Sequence, residues 1–407
     1  MKKLFITLAI SLISVISVSA QTDFETILLQ FHADSLKKTV EDLVGFDNRL
    51  CCPLENNNKK VAQYLVQRLK DYGLESAAID SFHVTMWHFL LKDIDQYMYN
   101  VKARLSGSDK PDSIVIIGAH LDAIAYDANY TIQNMVPGAN DNATGVAVMI
   151  EIARIFHANN LIPKYSIDFM AYDAEEIGLC GSQYDTIYRK SNNENIYVML
   201  NNDMVGMQSE EANEWKVVFH ADPEAEDIQN KAITICHNYT LLHPYIPDNT
   251  DSSYRNSDSW SYRLAGFKTF YTHEYEDDPY YHSIFDLPQR LNYHYMAEIA
   301  KLHFSLLYDF TIEHIALSTV GLNEPPLTPA FNIYPNPTSN ILRIVSYPQN
   351  ASISKISIYD YMGREVLQNE NIDCYPYNID VSKLQSGVYI VKIVDADNLH
   401  VMRFLKR

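Results

Sequence analysis

The chain has 407 residues, 47% of them hydrophobic and 20% charged. That suffices for one large globular domain and a small one, and it is too apolar for a disordered chain. A formal charge of −19 argues against a basic nucleic-acid face or attraction to anionic membrane surfaces.

Lys2 and Lys3 precede an apolar run from Leu4 to Ile16, and Val18-Ser19-Ala20 supplies small residues for cleavage. Residues 1–20 therefore read as a signal peptide. Its removal takes away two lysines, so the mature charge becomes −19 − 2 = −21. No later run reaches the roughly 18 apolar residues of a membrane span. The expectation is a soluble, exported protein. Export permits disulfides among Cys51, Cys52, Cys180, Cys236 and Cys374, but an odd count leaves a thiol unpaired. None has C-x-x-C spacing, which argues against a cysteine zinc site.

Apolar residues recur at helical spacing over Thr22–Val44 and again over Asn57–Tyr72, where Gly73 ends the run. Ala77–Val84 and Tyr97–Leu105 alternate as strands that could pair. Ser113–Gly118 is an uninterrupted apolar strand, as in a sheet covered on both faces. Asn142–Ala158 reads as a buried helix, Ser166–Tyr172 as a strand, Gly178–Arg189 as a helix and Ile196–Met204 as a strand. Trp215–His220 (strand), Pro223–Tyr239 (helix), Phe267–Thr272 (strand) and Tyr293–Ile315 (helix) follow. The alternation predicts an α/β fold, with a mostly parallel or mixed central sheet flanked by helices, over residues 21–322.

Character changes at the proline-rich linker 323–330. Beyond it, 331–407 offers only short strands at Ile341–Val345, Ile353–Tyr359, Tyr377–Val381, Gly387–Val394 and Leu399–Leu405, separated by turn signals. A small all-β sandwich is expected there. It holds 8 Lys+Arg against 7 Asp+Glu, so the acidity belongs to the α/β part.

Most strands of the α/β part run into a side chain able to bind metal. Ser113–Gly118 leads to His120 and Asp122, and the loop Gly138–Gly145 carries Asp141. Ser166–Tyr172 leads to Glu175 and Glu176, and Ile196–Leu200 leads to Asp203; His282 and Asp286 lie near the end. Taken singly, each is more often a helix cap or a solvated loop residue. Together they suit the crevice at the carboxyl ends of an open α/β sheet.

The ordered motifs Gly118-Ala119-His120-Leu121-Asp122, Gly138-Ala139-Asn140-Asp141-Asn142-Ala143-Thr144-Gly145, Ala174-Glu175-Glu176-Ile177-Gly178, Asn202-Asp203-Met204-Val205-Gly206, Asn256-Ser257-Asp258 and Tyr281-His282-Ser283 with Asp286 resemble the co-catalytic di-zinc aminopeptidases. Bacterial leucyl aminopeptidases typify that family, and glutamate carboxypeptidases and glutaminyl cyclases are relatives. The resemblance covers about residues 30 to 315. It implies two Zn²⁺ per chain, bridged by Asp141. His120 and Asp203 would complete one metal, Glu176 and His282 the other. Glu175 would be the general base, and Asp122 would fix the His120 tautomer from behind. Asp258 is left as a supporting residue. In the family the peptide after the bridging aspartate is often cis, which here is Asp141–Asn142. Cys180 reads as a packed thiol, not a nucleophile. Some of the aromatics between Tyr254 and Phe285 could wall a pocket for an apolar N-terminal side chain, although core packing accounts for most of them.

The implied activity is removal of N-terminal residues from peptide substrates. Three alternatives stand beside it: a single-zinc glutaminyl-peptide cyclase, a zinc carboxypeptidase of the same fold, and a catalytically dead binding module. Five intact ligand positions argue against the first and the last. Ile333-Tyr334-Pro335-Asn336-Pro337, Ile358–Arg364, Leu384-Gln385-Ser386-Gly387-Val388-Tyr389 and the basic end Lys406-Arg407 resemble the sorting domain of the type IX secretion route. That resemblance implies passage through the periplasm and a partner in the outer-membrane secretion machinery, leaving the enzyme secreted or at the cell surface. A carbohydrate-binding or spacer sandwich is the alternative.

Overall fold

A computed structural model describes residues 23–52, 57–209, 215–247, 253–315, 330–334, 338–347, 353–360, 363–369, 377–395 and 398–407. The expected signal peptide (1–20), nearly all of the expected linker (323–330) and Cys374 fall outside them.

The chain opens with helices α1 (Phe24–Leu28), α2 (Ala33–Val44) and α3 (Asn58–Asp71). The continuous helical spacing of Thr22–Val44 is thus split. The turn at Leu29–His32 interrupts the backbone, yet Phe31 stays buried against Phe304, so the apolar period runs through a break it does not report. A long hairpin follows, β1 (Ala78–His88) with β2 (Lys92–Leu105). Then come β3 (Lys110–His120), α4 (Thr144–Ala158), β4 (Tyr165–Tyr172), α5 (Cys180–Ser191), β5 (Asn195–Asn202), β6 (Trp215–Ala221), α6 (Glu226–Tyr239), β7 (Leu242–Tyr245), α7 (Ser259–Leu264), β8 (Thr269–Glu274) and α8 (Tyr293–Thr311).

The eight strands form one sheet in the order β1-β2-β4-β3-β5-β8-β6-β7. Neighbours β4, β3, β5 and β8 run parallel, so their carboxyl ends share one edge. β2 joins β4 antiparallel and β6 joins β8 antiparallel. The expected mixed α/β sheet is present. Its middle is dry because both faces are covered. Val115, Ile117, Phe169, Val198 and Leu200 pack under α4 and α8, while Ile116, Met170, Met199 and Tyr262 close the other face.

Two helices beside the site start later than their apolar spacing predicts. α4 begins at Thr144 because Asp141 and Asn142 have non-helical backbone angles. α5 begins at Cys180 because Gly178 and Leu179 both have positive φ, at 125° and 60°. β7, α7 and two strands of the C-terminal part, β9 (Ala330–Tyr334) and β12 (Glu365–Asn369), were not anticipated; they are short, and β7 contains Pro244.

The C-terminal part adds β10 (Ile341–Tyr347), β11 (Ile353–Tyr359), β13 (Tyr377–Asp380), β14 (Gly387–Asp395) and β15 (Asn398–Lys406). They form a sheet β13-β10-β9 and a sheet β12-β11-β14-β15. Leu342, Ile344, Ile356, Ile358, Val391, Ile393 and Phe404 fill the core of this all-β unit.

Candidate metal centre

The parallel strands deliver their last residues to the same edge. His120 ends β3, Glu175 and Glu176 follow β4, and Asp203 follows β5. Asp141 comes from the segment Ala139–Ala143, which crosses that edge before α4. His282 arrives on the loop after β8.

Among the described residues, His120, Asp141 and Asp203 form one group able to hold a metal, and Asp141, Glu176 and His282 form another. His120 Nε2 lies 3.1 Å from Asp141 Oδ1 and 3.2 Å from Asp203 Oδ1. His282 Nε2 lies 3.2 Å from Asp141 Oδ2 and 2.9 Å from Glu176 Oε2. The two oxygens of Asp141 therefore serve different groups. Glu176 Oε1 and His282 Nε2 are buried without a properly aligned hydrogen-bond partner. Lone pairs that converge without a proton aligned between them suit a cation, and imidazole with carboxylate is a donor set zinc accepts.

The electrostatics without an ion agree. Burial opposes charge on His120, yet Asp203, Glu175 and the bonds to Asp122 and Asp141 hold its imidazole well above the usual range. Burial opposes charge on His282 too, yet Glu176 and Asp141 push it up to about 12. Burial also raises Glu176, to about 7, with Asp141 adding to it. Asp141 goes the other way: burial favours its neutral form, but both imidazoles hold it well below the carboxylate range. Cationic imidazoles here stand in for the positive charge that the carboxylates demand.

Glu175 is in neither ligand group. Burial first, then Glu176, Asp203 and Asp258, push its carboxyl well above the usual range, with His120 opposing. Asp122 sits behind the pair. Its carboxylate accepts from the Glu175 and Glu176 backbone N–H groups at 3.1 and 3.3 Å. His120 Nδ1 lies 3.2 Å from the Asp122 carbonyl and 3.5 Å from its carboxylate. Asp122 thus ties the imidazole to the turn that carries both glutamates.

Sequence reasoning missed the frame around Asp141. Arg49, fully buried, donates to the carbonyls of Leu121, Pro137 and Gly138 at 3.0, 2.6 and 2.5 Å. Asp286 accepts from the Asn140 and Asp141 N–H groups at 2.7 and 3.0 Å. Glu274 and Asp278 accept from the Asn140 amide. Asn142 donates to the Asn202 carbonyl and accepts from Gly145 N–H, joining the loop to β5. Ser257 donates to Asp203 at 2.5 Å and accepts from Asn201. An isolated Arg or Glu far from the motifs gives no periodic or spacing signal, so of this frame Asn140, Asn142, Asn202, Ser257 and Asp286, inside quoted motifs, were within reach, and Arg49, Glu274 and Asp278 were not. The Asp141–Asn142 peptide is cis, as the resemblance implies. Ala174, Met204 and His282, each at or beside a candidate site residue, have φ of 62°, 54° and 52°. Non-glycine residues held there cost about 1–3 kcal/mol each and concentrate at functional sites.

Asp258 is buried behind His120 and burial raises its carboxyl to about 7. Cys180 is half-buried and burial pushes its thiol up to about 12, which fits a packed, unreactive group. Cys51, Cys52 and Cys236 are also free thiols. Of the aromatics, Tyr262, Phe270 and Tyr271 are core residues, whereas Tyr281 is exposed and stacks on the His282 ring at 3.6 Å.

Residues 100–307 match the model of peptidase family M28. The chain belongs to that family. It is a metalloexopeptidase by membership, and residues 332–407 match the secretion system C-terminal sorting domain, so the chain also carries an export module. A probable aminopeptidase of Saccharomyces cerevisiae is 31% identical over 274 residues, covering 61% of this chain and 70% of that protein. Among solved structures, the Legionella pneumophila LapA aminopeptidase superposes with a TM-score of 0.58 at 22% identity, covering 76% of this chain and 80% of its own. A Bacteroides thetaiotaomicron glutaminyl cyclase gives 0.54 at 21% identity, over 69% of this chain and 98% of its own. Both of these likenesses bear on fold alone. Among the described residues no helix is long and apolar enough to cross a membrane.

Proposed function

We propose that the protein is an exported di-zinc aminopeptidase that removes N-terminal residues from peptides. In this reading residues 21–322 catalyse, 323–330 link, and 331–407 engage the outer-membrane secretion machinery, leaving the enzyme secreted or at the cell surface. The observation that carries it is the divided carboxylate of Asp141, one oxygen facing the His120 and Asp203 group and the other facing Glu176 and His282. A one-metal cyclase has no use for both groups.

His120, Asp141 and Asp203 would hold one zinc, and Asp141, Glu176 and His282 the second. Two zinc ions in those places supply Lewis acidity toward water and toward the scissile carbonyl. The protein's own residues handle the protons. Glu175 accepts a proton from the attacking water as the C–O bond forms. It then donates that proton to the amine nitrogen as the C–N bond breaks. Asp122 fixes the turn that carries both glutamates. Glu175 is in neither ligand group while Glu176 is in one, so adjacent glutamates take different tasks. Burial of the site removes competing water and strengthens each interaction.

A zinc count combined with an aminoacyl-anilide panel on purified protein tests the reading. About two zinc per chain, as a co-catalytic site needs, with chelator-sensitive release of free amino acids, is the expected result. One zinc per chain, with cyclisation of N-terminal glutamine and no hydrolysis, overturns it.

A further inference from the structure

An open cleft of about 820 Å³ lies between the tip of the β1–β2 hairpin and the loop that follows Asp122. Phe89 and Leu90 line it from the hairpin, and Tyr130 and Ile132 from the loop. Phe89 is 55% exposed and Tyr130 65%. Single exposed rings are ordinary, but apolar rings gathered in a concave surface mark a recognition site.

Tyr126 links the lining of the cleft to a candidate ligand. Tyr126 Oη is 3.3 Å from His282 Nδ1, and the Tyr126 N–H donates to the His282 carbonyl at 3.0 Å. The Tyr126 ring meets His282 edge-on at 5.5 Å and stacks on Tyr130 at 5.7 Å. His282, Tyr126 and Tyr130 thus form a staircase of rings from the centre outward. The outermost step is held out by its backbone. Tyr130 has φ of 59°, costly for a bulky residue. The Asp127 carboxylate fixes that turn, accepting from the N–H groups of Asn129 and Thr131 at 2.8 and 3.0 Å. Below the cleft, Leu90 and Leu91 pack on Ala123, Ile124 and Ala125, so the hairpin tip is anchored to the segment that follows Asp122.

An aminopeptidase places one residue on the amino side of the scissile bond. Everything else in the substrate lies on the other side. A cleft joined to His282 through the Tyr126 and Tyr130 rings therefore has one part of the substrate to hold. Resting on the aminopeptidase reading, we infer that the Phe89–Tyr130 cleft binds the substrate chain beyond the cleaved bond and selects peptides with an aromatic or branched apolar side chain there. Beside Lys92, Asn129 and Thr131, its wall carries the rings of Phe89 and Tyr130 and the aliphatic carbons of Leu90 and Ile132, which reward such a side chain by burial and stacking. A single-residue substrate such as an aminoacyl anilide does not reach Tyr130.

The test compares leucyl-p-nitroanilide with tetrapeptides that begin with leucine and carry phenylalanine or serine at the second, third or fourth position. Wild-type enzyme is expected to prefer phenylalanine over serine about tenfold in kcat/KM at one of these positions, through KM. Tyr130→Ala and Phe89→Ser are expected to abolish most of that preference while leaving anilide turnover unchanged. Absence of any preference in the wild type overturns the inference, as does an equal loss on anilide and peptide. So does an unchanged preference accompanied by conversion of a dimer to a monomer, which would make a second copy the occupant. Failure of the wild type to turn over any anilide or peptide strikes the aminopeptidase reading instead. Binding of the same tetrapeptides, followed by tryptophan fluorescence from Trp87 on the hairpin, then still decides the cleft.

Discussion

Asp141 and Glu175 carry opposite demands, and their surroundings meet them differently. In the proposed mechanism Asp141 must stay ionised, and two imidazoles hold it so, while Asp286 only fixes its backbone by accepting from the Asn140 and Asp141 N–H groups. Glu175 must gain and lose a proton, and burial beside other carboxylates raises its affinity for one. Glu175→Gln keeps shape and hydrogen-bonding reach but cannot take the proton. It is expected to bind zinc and unfold like wild type while kcat falls by about 10²–10⁴-fold; zinc analysis and thermal melts beside the kinetics check this. A second residue acts on stability alone. His303, fully buried on α8, touches Thr272 Oγ1 at 3.1 Å, and burial pulls its imidazole down to about 3 from 6.5. Between those pH values the unfolded chain holds the extra proton, so this histidine removes stability as pH falls from about 6.5 toward 3. His303→Gln is expected to flatten the pH dependence of the urea midpoint there, by up to about 1.4 kcal/mol per pH unit.

At the scale of elements, the arrangement depends on one buried cation under a loop. Arg49 lies before α3, yet it joins the residue after His120 to the start of the loop carrying Asp141. Replacing it with methionine leaves three buried carbonyls without a donor. Each costs about 1–3 kcal/mol. Arg49→Met is therefore expected to lower the unfolding free energy by several kcal/mol and to weaken zinc retention in a chelator competition, with Glu175 chemistry intact in whatever holoenzyme remains. The same scale explains where the helices begin. Asp141, Asn142, Gly178 and Leu179 have backbone angles that a helix cannot use, so α4 and α5 start only after the site residues are placed.

The whole molecule divides its charge and its tasks. The α/β part is acidic, and Asp141, Glu176 and Asp203 are among the carboxylates at the shared edge of β3, β4 and β5. Dialysis against a chelator is expected to lower the melting temperature and zinc to restore it, since a ligand at 100 times its Kd adds about 2.7 kcal/mol. The C-terminal unit has a separate apolar core. A chain ending at Leu322 is expected to hydrolyse anilides at wild-type kcat/KM but to remain inside the outer membrane; cell fractionation and activity assays on each fraction check both halves.

The sequence by itself determined the ligand candidates and the sheet that carries them. Buried parallel strands read as apolar runs, and polar residues at their ends stand out against that background. His120, Glu176 and Asp203 are visible for this reason, and Asp141 because a glycine-bounded loop precedes a helix. It also marked the change to short strands after the prolines. What it could not decide is anything set by contacts distant along the chain. The antiparallel placement of β6 and the hold of Arg49 and Asp286 on the Asp141 loop are of this kind, and so are the rings from His282 to Tyr130. No local period or spacing encodes such pairs. Their energy comes from burial and hydrogen bonds that exist only once the sheet has formed. Tertiary structure alone therefore decided how one carboxylate divides its oxygens between two imidazoles, and which rings line up outward from His282.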